Sequence, residues 1–333
     1  MLPNKASAIL TSFTRREFKE DALSKALLFR GEEQEQLFAL ARRKRSEYFP
    51  CCNFEIRSVI EVSNICQQSC NFCDINTHSR IKRYTLNYEE VLKIAGDIYA
   101  KGRKVILLQS GENDSSGYID FISKCIKTMK RGHSDLVIML CLGNLGPAQY
   151  KQLRDSGADR YILKFETSNP ILYSQIKPSD SLKKRVECLN NLIKLGFEAG
   201  SGSMIGLPGQ TINDIVQDLF FISNFNLTMA SCSVFIPSKG SNYEDSPCGD
   251  VDLALNFIAL TRIMYPKVLI PSTSSLEKAK KGAQFRGLMA GANTLTVHDG
   301  TPNKTKPLFP IYSVDRFTPT EAYIKKIVLK AHG

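Results

Sequence analysis

The sequence predicts an α/β protein built on a complete (β/α)8 barrel of the TIM type, with a short N-terminal helical extension. Three observations predict it. Short apolar runs alternate with amphipathic helical stretches, and that alternation means parallel strands paired through βαβ crossovers. Eight such runs fall between Ser58 and His298, the strand number and spacing of a barrel of this kind. Polar and glycine-rich residues gather where four runs end: Gln109-Ser110-Gly111-Glu112, Glu166-Thr167-Ser168-Asn169, Gly206-Leu207-Pro208-Gly209 and His298-Asp299-Gly300-Thr301. Strand ends on that side of a parallel barrel carry the active site. An open doubly wound sheet is the alternative architecture.

The elements follow in order. The first fifty residues are charged, with Leu23, Leu27, Leu28, Leu37 and Leu40 at helical spacings. Strands are expected at 58–63, 104–110, 136–142, 160–166, 198–206, 230–237, 267–274 and 293–298. Helices are expected at 88–101, 117–130, 147–155, 181–195, 211–224, 250–264 and 281–290. This divides the chain into an N-terminal helical extension (1–53), the barrel (54–303) and a C-terminal helical segment packed on the barrel (304–333). No internal repeat or low-complexity tract interrupts it.

Composition narrows the function. With 43% hydrophobic and 23% charged residues, wholesale disorder is excluded. No apolar run approaches the ~20 residues of a membrane span, and the start lacks a signal peptide's apolar core. A cytoplasmic protein is expected. The net charge of +11 suits an anionic substrate, an acidic partner or RNA without choosing among them.

Ten cysteines in a chain without an export signal are expected as thiols or metal ligands. Cys66, Cys70 and Cys73 share one tight loop after the first strand, whereas Cys125, Cys141, Cys188, Cys232 and Cys248 are scattered and Cys51 and Cys52 are adjacent. Structural zinc needs four ligands, and no second CxxC or HxxxH pair follows. Three thiolates suit a 4Fe-4S cluster with one iron left open.

CxxxCxxC with an aromatic before the last cysteine resembles the radical S-adenosylmethionine (SAM) superfamily. RSVIEVSNICQQSCNFCDIN, VILLQSGE, ADRYILKFETSNP, GSGSMIGLPGQT and TRIMYP…IPSTS extend the likeness to its biotin-synthase-like branch, nearest to the HydE-type maturases of iron-only hydrogenase. Biotin synthases and methylornithine synthases are more distant. The likeness runs from about Phe54 to Pro302. It implies a barrel enzyme that cleaves SAM reductively to a 5′-deoxyadenosyl radical in cofactor or metallocluster biosynthesis.

The resemblance also assigns residues. Cys66, Cys70 and Cys73 would hold the cluster. Gln109, Ser110, Gly111 and Glu112 would meet the SAM amino group; an ordinary polar turn is the plainer reading. Glu166 would grip the ribose or ammonium, or simply pair with Lys164 or Arg160. Arg185 would take the SAM carboxylate with its planar fork, or face solvent. Met204 and Leu207 would line the adenine, with Phe72 nearby.

The resemblance stops at several points. No CysxxCys follows Cys248, so the second cluster that some relatives carry is not expected, though an auxiliary cluster is not excluded. His298 and Asp299 stand where the family pattern has other residues, and are expected as substrate contacts or a proton donor. A buried histidine satisfied by Asp299 is the alternative. Arg286 would neutralise a substrate carboxylate or face solvent.

Three function classes follow. The first is a HydE-like SAM-cleaving maturase, or a methylornithine-synthase-like mutase, acting on a small molecule. The second is sulfur insertion like that of biotin and lipoyl synthases, on an acyl substrate held by a carrier protein. The third is a non-catalytic cluster- or RNA-binding protein. The SAM-type motifs argue against the third, so nucleic acid is not an expected partner. An electron donor such as ferredoxin or flavodoxin is.

Overall fold

The apolar runs form eight parallel strands: β1 (Glu55–Ser63), β2 (Val105–Ser110), β3 (Val137–Cys141), β4 (Arg160–Ile162), β5 (Glu198–Ile205), β6 (Met229–Val234), β7 (Pro271–Ser272) and β8 (Thr294–Val297). This is a computed structural model, describing residues 5–49, 54–312 and 317–332. The sheet order is β6-β5-β4-β3-β2-β1-β8-β7. A parallel bridge between Met229 and Leu269 brings β6 against the approach to β7 and closes the ring. The architecture is the (β/α)8 barrel.

Alternation of side chains builds two cores. Outward residues such as Ile60, Val62, Ile106, Leu108, Ile138 and Leu140 pack in the main core with the helices. Inward Val59, Val105, Leu107, Met139 and Met229 fill the barrel axis. Below them a charged floor closes the barrel. Arg57 Nε donates to Glu55 at 2.5 Å, and Arg160 pairs with Glu55 at 2.8 Å and with Glu198 at 2.6 Å. Burial opposes the Glu55 charge, but Arg57 and Arg160 outweigh it and hold the carboxyl below its usual range.

The seven expected helices appear as Tyr88–Ala100, Ser116–Gly132, Pro147–Asp155, Leu182–Lys194, Ile212–Phe221, Val251–Met264 and Ala283–Met289. Asn87 and Glu90 close the first with a capping box, as Thr211 and Asp214 close the fifth. Helix Val251–Met264 is buried almost all round. Its outer side is covered by the N-terminal helices Glu20–Leu27 and Gly31–Tyr48, on which Lys5–Thr14 packs in turn. Gln34 donates to Asn256, which in turn donates to the carbonyls of Leu27 and Phe29, each at 2.9 Å. The C-terminal helix Glu321–His332 packs on Ala283–Met289.

Most strands are a little shorter than expected, and two, β4 and β7, fall far short. β4 ends as a regular strand at Ile162, although Glu166, four residues on and at a left-handed φ of 63°, still bridges Ser203 of β5. β7 retains two residues, beginning on Pro271, which lacks an N–H for the ladder. Two short helices, Pro170–Ile176 and Ser274–Ala279, follow those strands. No helix among the described residues is long and apolar enough to cross a membrane.

Candidate active site

A cavity of about 310 Å³ opens at the C-terminal strand ends. Its walls come from the loop after β1, from β2 to β6, from Thr273–Ser275, from β8, and from Ile311 and Tyr312 of the C-terminal segment. Arg57 lies at the bottom. Its Nη2 and the Oγ of Ser231, which also lines the cavity, are buried without a hydrogen-bond partner among the described residues.

The thiols of Cys66, Cys70 and Cys73 face this cavity together. Their loop is fixed by backbone-directed bonds, which a segment without regular structure needs. Asn76 Nδ2 donates to the carbonyls of Cys70 (3.2 Å) and Cys73 (2.8 Å). Arg83 spans the loop, donating to the carbonyls of Asn64, Ile75, Asn76 and Ser79. On the β2 side, Gly111 lies so close that a Cβ would sit 2.3 Å from the Ile65 oxygen and 2.7 Å from the Cys66 Cβ. Burial pushes the Cys70 thiol up to about 11, with Lys177 acting in the opposite direction, and burial pushes Cys73 well above its usual value.

Gln109, Ser110, Gly111 and Glu112 form the adjoining wall. Glu112 accepts from Gln68 Nε2 at 2.6 Å, tying this turn to the cysteine loop. Arg185 reaches the same place from the first turn of helix Leu182–Lys194 and is 4% exposed. A solvent-facing arginine is thus excluded. Its Nη2 donates to Asp180 at 2.9 Å and lies 3.8 Å from Glu112, while Nε donates to the Tyr173 hydroxyl at 3.0 Å. Burial works against the Arg185 charge, and Tyr173, Glu112 and Asp180 hold it. Lys177, also buried and cavity-lining, lies 3.6 Å from Asp180. Sequence reasoning missed Lys177 and Asp180; the Asp before the Ser181 helix cap was the available signal.

Glu166 lines the cavity and pairs with Lys164 at 2.7 Å. Arg160, the other expected partner, is engaged at the floor. The left-handed turn at Glu166 is held on both sides: its N–H donates to the Gly202 carbonyl at 3.0 Å, and its carbonyl accepts from Met204 N–H at 2.8 Å. Next to it, the N–H and hydroxyl of Ser168 donate to buried Asp218 at 2.6 and 2.7 Å.

The remaining expected residues separate. Met204 and Phe72 line the cavity. Leu207 does not; it is buried behind them with Leu172, Ile176 and Phe235. His298 lines the cavity, but its partner is Glu61, not Asp299: Nδ1 lies 3.0 Å from Oε1 of Glu61. Asp299 turns outward to Arg103, which also binds Glu321 and Ser58. Arg286 is held outside the barrel by Asp252 at 3.2 Å and Glu35 at 3.0 Å, because two carboxylates and the side-chain Oε1 of Gln34 satisfy its fork there. Neither residue reaches the cavity. Cys141 does; Cys125, Cys188 and Cys232 are buried and Cys248 is exposed. Cys51 and Cys52 lie outside the described residues.

Residues 60–222 match the model of the radical SAM superfamily. The chain is 36% identical over 306 residues to the FeFe hydrogenase maturase subunit HydE of Thermotoga maritima, covering 91% of this chain and 86% of that protein. This chain is a radical SAM enzyme. Biotin synthase of Chlorobium phaeobacteroides is 23% identical over 273 residues, covering 79% of this chain and 80% of its own. The crystal structure of methylornithine synthase shares the fold, with a TM-score of 0.84 at 24% identity, over 97% of this chain and 95% of that one.

Membership in the radical SAM superfamily implies a 4Fe-4S cluster and SAM. The donor set fits the cluster. Three thiols converge on one cavity wall, yet no three His, Cys, Asp or Glu side chains among the described residues are grouped to hold a single metal ion. Cysteine thiolates are the donors that hold such a cluster.

Proposed function

We propose that Cys66, Cys70 and Cys73 hold one 4Fe-4S cluster with an open iron, and that the enzyme is a HydE-like maturase acting in metallocluster biosynthesis on a small molecule inside the barrel. The observation that carries the reading is one wall shared by the cysteine loop, Glu112 and the buried Arg185. Cluster binding alone has no use for that arrangement. When bound, the cluster supplies the electron that cleaves SAM to methionine and a 5′-deoxyadenosyl radical.

The protein's own groups do the rest. Arg185, charged and braced by Asp180 and Tyr173, offers a fixed cation to the SAM carboxylate. Glu112 and the oxygens of the Gln109–Gly111 turn accept from its ammonium. Glu166 takes the ribose hydroxyls, which requires Lys164 to yield or share its carboxylate. Met204 and Phe72 give apolar surface to the adenine. His298 and the buried floor around Arg57 are left to the substrate. An electron donor such as ferredoxin or flavodoxin completes the system. In the same proposal residues 54–303 form the catalytic barrel, with 1–53 and 304–333 as helical additions.

Iron and sulfide quantitation on anaerobically purified protein, with chromatography of the SAM products, tests this. One 4Fe-4S cluster per chain with 5′-deoxyadenosine supports it. Two clusters point to sulfur insertion. S-adenosylhomocysteine as main product points to methyl transfer and contradicts the proposal.

A further inference from the structure

The inner face of β1 reads Arg57, Val59, Glu61: a charged floor, an apolar layer and a second buried charge. Glu61 is fully buried. It stands in register with Gln109 of β2, which is in register with Cys141 of β3, so the three are neighbours across the inner face of the barrel. The next residues of β2 begin the Ser110–Glu112 turn proposed above for SAM. Glu61 is thus the β1 neighbour of Gln109, the residue that leads into that turn, and His298, arriving from β8, meets it there.

The pair has a chemical consequence. An ionised carboxylate only accepts hydrogen bonds, so the Nδ1 facing Glu61 must carry the proton. In a neutral imidazole the other nitrogen then keeps its lone pair. His298 lines the cavity, and its only hydrogen bond among the described residues is the one to Glu61.

We propose that Glu61 locks His298 in the Nδ1–H form, making Nε2 a proton acceptor that receives an N–H or O–H group of the substrate in this cavity. In a proton-transfer step the substrate X–H bond breaks and leaves its electron pair on X. The Nε2–H bond forms, and the imidazolium is balanced by the Glu61 carboxylate. No further reagent is needed. His298 is the substrate contact and Glu61 a positioning residue. The inference rests on the radical SAM reading only in taking this cavity as the reaction chamber.

Nitrogen-15 NMR of histidine-labelled holoenzyme at pH 8 tests it, with His298→Gln assigning the resonance. The expected parent spectrum shows a protonated Nδ1 and a lone-pair Nε2. Glu61→Leu removes the acceptor and shifts the population to the Nε2–H form. Glu61→Gln retains the parent form, because its amide oxygen still accepts; a purely structural role for residue 61 would not give this pattern. Methylammonium chloride, a small N–H donor, should shift the Nε2 resonance, and sodium acetate should not. A parent histidine that is Nε2–H or doubly protonated overturns the proposal, as does a response to acetate alone or none to methylammonium. Should Glu61→Leu fail to fold, the parent and Glu61→Gln spectra still decide. SAM cleavage by the same parent preparation is scored separately, so the radical reading and this pair can fail independently.

Discussion

Gly111 is packed against Cys66 with no room for a side chain: an added Cβ would stand 2.7 Å from the Cys66 Cβ and 2.3 Å from the Ile65 oxygen. Backbone cannot rotate away as a flexible side chain would. Gly111→Ala must therefore displace the start of the cysteine loop. We expect the variant to fold but to lose most of its cluster, read as a several-fold drop in iron and sulfide per chain. Full iron content would show that the loop tolerates the shift.

Arg185 and Asp180 are tied in a second test. Asp180 is fully buried at its side chain, so Arg185→Ala leaves its carboxylate without its main cation. Breaking a buried pair from one side costs about 3–5 kcal/mol, and a lowered unfolding midpoint is expected. Asp180→Asn in the same chain should recover much of that loss. SAM affinity should stay roughly tenfold to a hundredfold weaker in both, since a hydrogen bond to a charged group contributes about 1.5–3 kcal/mol. Equilibrium SAM binding to the anaerobic protein measures it. Recovery of SAM affinity in the double variant would make Arg185 a structural charge only.

Glu166 carries a parallel prediction. Glu166→Gln keeps shape but removes the charge that holds Lys164. SAM binding should weaken by about tenfold or more, with the cluster spectrum unchanged in the absence of SAM. Parent-like SAM binding would leave Glu166 as the partner of Lys164 and nothing else.

Asp218 sets a pH dependence. Burial pushes its carboxyl up to about 7, only partly offset by the Ser168 bonds. Between about pH 4 and 7 the folded chain holds a proton that the unfolded chain releases, so stability falls as pH rises through that window. Each unit of the window carries at most about 1.4 kcal/mol. Asp218→Asn keeps the acceptor for Ser168 and should flatten the profile, raising the midpoint at pH 8 relative to the parent. Parallel unfolding curves for both proteins from pH 5 to 8 would contradict it.

Local signals carried the barrel, and long-range pairing was what they could not carry. Alternating apolar runs placed all eight strands, because each is a local pattern. The ends of β4 and β7 were misjudged: the chain after Ile162 keeps only an isolated bridge from Glu166 to Ser203 of β5, and Pro271 limits the β7 ladder, and both are decided by neighbours. That Cys66, Cys70 and Cys73 come together was legible from their spacing on one loop, and all three line the cavity. His298 was legible as a cavity residue but its partner was not, since Glu61 is 237 positions away, whereas Asp299 is adjacent and turns to the opposite side. Arg286 looked available because nothing in its own segment reveals Asp252 and Glu35 waiting on other helices. Leu207 sits beyond the left-handed Gly206, where the chain leaves the cavity wall and packs behind it.

The most direct measurement is reductive SAM cleavage by the anaerobic protein, compared with Cys66→Ala, Cys70→Ala and Cys73→Ala chains. The cysteine loop, Glu112 and Arg185 share one wall of the barrel mouth, and the account requires them to act on SAM together. It predicts slow formation of 5′-deoxyadenosine and methionine in equal amounts by the reduced parent, even without substrate, and none by any of the three variants. Any of the three variants that keeps its iron and still forms 5′-deoxyadenosine would contradict the account.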